Sequence, residues 1–130
     1  MRKMLIIEDD ELSTKVMRRI FQNEFDLFFC ESADEYYEKY SASNFSIVIM
    51  DVSIKGNKSG LDLIKEIKAV PSYTGTPILC LTAHAQLDVR LAAAKAGSDL
   101  FITKPVNNKT LRAEVELLIK SKQPENRSVV

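Results

Sequence analysis

Short, nearly unbroken apolar runs alternate with longer stretches of helical periodicity along this chain of 130 residues. The runs are Met4–Ile7, Phe25–Cys30, Ile47–Met50, Ile78–Leu81 and Leu100–Ile102. They are too continuous for strands with one wet face and read as strands covered on both sides. Between them, apolar residues recur at intervals of three and four. In Glu11–Asn23 the repeat is Leu12, Val16 and Ile20, flanked by Met17 and Phe21. In Gly60–Val70 it is Leu61, Ile64 and Ile67, and in Asn107–Lys120 it is Leu111, Val115 and Leu118. Ala33–Tyr40 and Gln86–Ala96 are rich in helix formers. Ser32 followed by Glu35 has the spacing of a capping box. Gly97 stands where a helix C-terminus favours glycine, and Pro105 stands where no helix can continue from upstream. Five strand–helix alternations predict one α/β domain with a parallel sheet between helical layers. The domain is expected over residues 1–122, followed by a polar tail, 123–130, that should fray.

Composition narrows the function classes. Eighteen basic and eighteen acidic residues give a formal net charge of zero, which argues against a broad nucleic-acid or membrane-surface footprint. Hydrophobic residues make up 45%, enough for a proper core. Cys30 and Cys80 each sit alone in an apolar run, which suits buried hydrophobes in a reducing compartment rather than a disulfide or metal knuckle. The apolar stretch in "MRKMLIIEDD" is too short for a signal-peptide core, and no segment approaches membrane-spanning length. The expectation is a cytoplasmic soluble protein.

In open α/β sheets, sites form beyond the carboxyl ends of the strands. The first run is followed by Glu8, Asp9 and Asp10, the third by Asp51, the fourth by Thr82, Ala83 and His84, and the fifth by Thr103, Lys104 and Pro105. Carboxylates brought close together repel unless a cation lies among them. All-oxygen donors of this kind suit Mg²⁺. With an ammonium and a hydroxyl added, the set can neutralise the charge of a transferring phosphoryl group. Each residue also has a plainer reading: "EDDE" at Glu8–Glu11 can favour a helix N-terminus through the dipole, Asp51 and the Lys-Pro pair can be loop residues, and Thr82 can be an N-cap. Their joint placement at one end of the sheet favours the chemistry.

The ordered set "LIIEDDE", "IVIMDVSI", "ILCLTAH" and "FITKP" resembles the receiver domain of two-component response regulators over essentially the whole chain, from Lys3 to about Lys120. The resemblance implies a flavodoxin-like (βα)5 fold with strand order 2-1-3-4-5. It implies that Asp51 is the phosphoacceptor and that Mg²⁺, or Mn²⁺, is held by Asp9 directly, by Glu8 through water, by Asp51 and by the Ser53 backbone carbonyl. Thr82 would be the switch hydroxyl, with Ala83 beside it, and Lys104 the lysine that pairs with the phosphoryl oxygen. The Lys104–Pro105 peptide would be cis. Phe101 would occupy the switch-aromatic position, and Ser53 and His84 the rim of the pocket. The implied partners are a histidine kinase or histidine phosphotransfer protein and an output partner, with homodimerisation through the fourth helix, fifth strand and fifth helix as one form of output. Neither a nucleic acid nor a membrane is implied.

The resemblance implies a signalling domain that promotes its own phosphorylation and dephosphorylation, not a turnover enzyme. The alternative from another class is a small Mg²⁺-dependent aspartyl-nucleophile phosphatase or phosphotransferase. Such an enzyme normally carries a second acid two residues after the nucleophile, where this chain has Ser53. A nucleotide or flavin binder of the same topology needs a glycine-rich phosphate loop after the first strand, where this chain has "EDDELS". The loop after Asp51, "DVSIKGNKSG", departs from the family pattern, with Lys55 where proline is common and one extra residue before Gly60. Phe101 lacks the hydroxyl of the tyrosine often found there and can equally be read as core.

Overall fold

The computed structural model describes residues 1–122; the expected tail lies outside them. Five strands alternate with five helices: β1 (Arg2–Ile7), α1 (Glu11–Phe21), β2 (Phe25–Cys30), α2 (Ala33–Lys39), β3 (Ile47–Met50), α3 (Gly60–Ala69), β4 (Ile78–Thr82), α4 (Leu87–Ala96), β5 (Leu100–Thr103) and α5 (Asn108–Ser121). The strands form one parallel sheet in the order β2-β1-β3-β4-β5. This is the doubly wound, flavodoxin-like order in which the central strands β1 and β3 end side by side.

Successive strand residues point to opposite faces of the sheet, and this divides the apolar runs between two cores. Met4, Ile6, Ile47, Ile49, Leu79 and Leu81 pack with Met17, Ile20 and Phe21 of α1 and Leu111, Val115 and Ile119 of α5. On the other face Leu5, Ile7, Val48, Met50 and Ile78 pack with Leu63, Ile64 and Ile67 of α3 and with Ala33 and Ala96 of α2 and α4. Cys30 and Cys80 are buried, and burial pushes both thiols up to about 12. Among the described residues no helix is long and apolar enough to cross a membrane.

Two local expectations need correction. Leu12 and Val16 do not face the core of α1; they are 70% and 43% exposed, and the buried stripe is Met17, Ile20 and Phe21. Ser32 does cap α2, accepting from the Glu35 amide at 3.1 Å, but the Glu35 carboxylate turns to the Glu31 amide at 2.8 Å, so the box is not closed. The reciprocal capping box is at Ser59 and Asp62, opening α3. Elsewhere the boundaries shift by one or two residues, which is the ordinary uncertainty of helix and strand ends. Gly97 takes the left-handed conformation at the end of α4, with φ of 111°, as its position implies.

Candidate functional site

The site is assembled by the sheet's own hydrogen bonds, continued one residue past each strand. The Glu8 amide donates to the Cys30 carbonyl at 2.9 Å, the Asp51 amide to Ile7 at 3.0 Å, and the Lys104 amide to Thr82 at 2.8 Å. The register pairs Ile7 with Met50 and Thr82 with Thr103. Glu8, Asp51, Thr82 and Lys104 therefore start from fixed backbone positions at one end of the sheet. Among the described residues the buried polar or charged ones are Glu8, Asp51 and Thr82. The fold thus concentrates its buried polarity at this point, where it must be paired.

Lys104 does most of that pairing. Its ammonium donates to Glu8 Oε1 at 2.5 Å, to Ser13 Oγ at 3.2 Å and to Asp51 Oδ2 at 3.3 Å. Burial raises the Glu8 pKa, and the Lys104 hydrogen bond offsets this only in part. Burial also works against an ionised Asp51, but hydrogen bonding from Thr82 and the Lys104 charge outweigh it and hold the Asp51 carboxyl below its ordinary value. Desolvation would lower the Lys104 pKa; Glu8 and Asp51 together raise it. The outcome is an ionised Asp51 beside a permanent cation.

Around this centre, the Ser53 amide donates to Asp51 Oδ1 at 3.2 Å. Ser53 Oγ and His84 Nε2 share a hydrogen bond of 2.8 Å, which joins the β3–α3 and β4–α4 loops across the rim. The His84 amide donates to Thr82 Oγ1 at 3.2 Å. Asp9 is half-buried beside Glu8, whereas Asp10 turns away and caps α1, accepting from the Ser13 amide at 2.9 Å. The dipole reading of the acidic run therefore holds for Asp10. Ala83 is exposed and lines, with Asp51 and Lys104, a cavity of about 400 Å³ whose other walls include Leu12, Val16 and Val106. The Lys104–Pro105 peptide is cis. Phe101 is half-buried under the Arg90 guanidinium, 5.0 Å from the ring centroid, so it is not simple core.

The unusual loop after Asp51 leans toward β2. Its Lys55 amide donates to the Glu31 carbonyl at 2.9 Å, and its ammonium reaches the Glu31 carboxylate at 3.0 Å. Sequence reasoning missed Ser13, whose place in the first turn of α1, just after the acids, was the available signal. It also missed Arg90, whose long side chain reaches the site's edge from a helix with no polar motif.

Among the described residues no three histidine, cysteine, aspartate or glutamate side chains group closely enough to chelate a metal by themselves. The donor set nevertheless fits Mg²⁺, which takes one or two carboxylates and keeps several waters. Lys104 pairs with Glu8 and Asp51, while Asp9 follows Glu8 at the same end of β1 and lies within electrostatic reach of Lys55.

A doubly wound parallel sheet with acids at the ends of β1 and β3 and a lysine after β5 is a flavodoxin-like fold with a charged site at the carboxyl end of its sheet. The chain belongs to the response regulator receiver domain family, whose model matches residues 4–116. It is a receiver domain of two-component signal transduction. Among curated proteins it is 27% identical over 119 residues to the regulatory protein VanRB of Enterococcus faecalis, covering 92% of this chain and 52% of that protein. The chain spans about half the length of the curated relatives first matched. Among solved structures, the receiver domain of a signal transduction histidine kinase from Syntrophus aciditrophicus superposes with a TM-score of 0.85 at 21% identity, covering 100% of this chain and 98% of that one. The receiver domain of the sensor histidine kinase PA1611 from Pseudomonas aeruginosa, solved with magnesium in its active-site cleft, superposes at 0.81 with 19% identity, covering 91% and 97%.

Proposed function

We propose that Asp51 accepts a phosphoryl group from a phosphohistidine, and that the resulting acyl phosphate switches a partner-binding surface. The observation that carries this reading is the Lys104 ammonium held against both Glu8 and Asp51 in a site that gathers the fold's buried polarity. Asp51, kept ionised, attacks phosphorus in line, and the phosphorus–nitrogen bond breaks as the imidazole leaves. The metal, Mg²⁺ or Mn²⁺, would be held by Asp9, Asp51 and the Ser53 carbonyl, with Glu8 behind through water, and when bound it neutralises charge on the transferred group. Lys104 follows a phosphoryl oxygen, and Thr82 supplies a second donor with its hydroxyl. The acyl phosphate puts roughly one to two negative charges where only the Asp51 carboxylate stood, which gives both side chains a reason to move.

Leu12 and Val16, exposed beside the open end of the site, suit docking of an apolar helix face that carries the donor histidine. On this reading the phosphodonor is a histidine kinase or histidine phosphotransfer protein and the protein acts in the cytoplasm. Leu87 and Leu91, 70% and 61% exposed on α4, make the α4–β5–α5 surface the candidate contact for an output partner or a second copy. The test is intact mass after incubation with phosphoramidate and Mg²⁺. The wild type should gain one phosphoryl group and Asp51→Asn none; a gain retained in Asp51→Asn refutes the assignment.

A further inference from the structure

Arg90 is tied to two residues of β5 that border the groups around Asp51. Its guanidinium covers the Phe101 ring, and its Nη2 donates to Thr103 Oγ1 at 3.1 Å. Thr103 pairs with Thr82 in the sheet, and the next residue, Lys104, holds Asp51. The helix that carries Arg90 is lightly anchored. In α4 only Ala93 and Ala96 are buried, and no side chain caps its N-terminus. Its buried contacts therefore lie in the second half, and Arg90 is the polar tie from the first half to the sheet.

We infer that Arg90 is a conformational latch, which holds Phe101 and the first half of α4 in the arrangement that belongs to unmodified Asp51. The inference rests on the proposed phosphorylation of Asp51. Both Arg90 contacts end on the strand that must respond to a phosphoryl group. A Phe101 ring that turns away from α4 leaves the guanidinium, and a shift of β5 at Thr103 lengthens the hydrogen bond. Arg90 is exposed, so a released guanidinium is rehydrated and the latch can open at small cost. A cation–π contact and one hydrogen bond at such a site together shift an equilibrium by about three- to tenfold, a size that biases a switch without freezing it. Thermodynamic reciprocity then requires that a latch favouring the unmodified state weakens binding of anything that favours the modified one.

The test uses the full chain and beryllofluoride with Mg²⁺, a mimic of the acyl phosphate. Arg90→Met keeps the apolar stem and loses the charge and the donor; Arg90→Lys keeps a charge over the ring without the planar fork. Arg90→Met should bind beryllofluoride about three- to tenfold more tightly than wild type, with Arg90→Lys between them. The amide resonances of Thr82 and Ala83, in residues that do not touch Arg90, should move in free Arg90→Met toward their beryllofluoride-bound positions. Unchanged or weaker affinity in both variants overturns the latch, and Arg90→Lys alone decides the matter if Arg90→Met does not fold. Beryllofluoride that ignores wild type, or binds Asp51→Asn equally, overturns the phosphoacceptor reading and the latch with it. Binding that needs Asp51 but is indifferent to Arg90 overturns the latch alone.

Discussion

A methyl group on Gly60 would lie 1.8 Å from the Asp51 carbonyl oxygen and 2.8 Å from its carbon. The first turn of α3 passes that close because the Gly60 amide donates to the Val52 carbonyl at 2.7 Å, folding the loop back under Asp51. The neighbouring atoms are backbone and cannot swing aside. Gly60→Ala should therefore displace Asp51, lowering stability by about 1–3 kcal/mol and slowing phosphorylation at least several-fold. Urea unfolding and the rate of mass gain from phosphoramidate measure the two effects, and a normal rate would show that the close approach does not position Asp51. His84 is bonded to Ser53, whose amide donates to Asp51. If Asp51 carries a phosphoryl group as proposed, His84→Ala removes this link between two loops and should shorten the phosphoryl half-life several-fold; an identical decay in both proteins would show that the pair does not shield the site. At this scale the sequence exposed acids, hydroxyl and lysine because each follows an apolar run. It hid Gly60's contact and the Ser53–His84 bond, since both depend on how loops fold back in space.

At the scale of elements, helix existence followed from periodicity, but helix orientation did not always. Leu12 and Val16 keep the three-to-four spacing of α1 and still face solvent, because the core stripe runs through Met17, Ile20 and Phe21. Spacing defines an apolar face, whereas the neighbouring element decides how much of it is covered. Capping likewise needed a rotamer as well as a spacing, which is why Ser32–Glu35 closes only half a box while Ser59–Asp62 closes a whole one. A tie invisible in the pattern is Asp99, just before β5. Its carboxylate accepts from the Ile78 amide at 2.8 Å, Lys68 at 3.0 Å and Lys122 at 3.0 Å, joining α3, β4 and the end of α5. Burial disfavours its charge, but these three donors prevail and hold its pKa below the ordinary 3.8. A depressed carboxylate contributes stability that is fully present above its unfolded-state pKa and is lost as pH falls through the folded one. Asp99→Asn should accordingly cost about 1–3 kcal/mol at pH 7. The difference from wild type should shrink once the pH drops below about 3.8. Chemical unfolding at both ends of this range checks it, and a difference that stays constant into acid would assign the loss to packing instead.

For the whole molecule, the order of five apolar runs and five helical stretches was enough to imply the parallel sheet, and the carboxyl-end rule then pointed to one edge. Both followed because strands covered on two faces leave an unmistakable apolar run and because the ladder fixes what comes next. The loop after Asp51 was legible only as an irregularity; its path toward Glu31 is set by a pairing between residues far apart in sequence. The proposed function requires one reactive carboxylate, at residue 51. Borohydride reduces an aspartyl phosphate to homoserine, so peptide mapping after phosphorylation and reduction locates the modified residue. Homoserine is expected at position 51 alone. Homoserine at position 9 or 10, or a retained phosphoryl group with no homoserine anywhere, would contradict it.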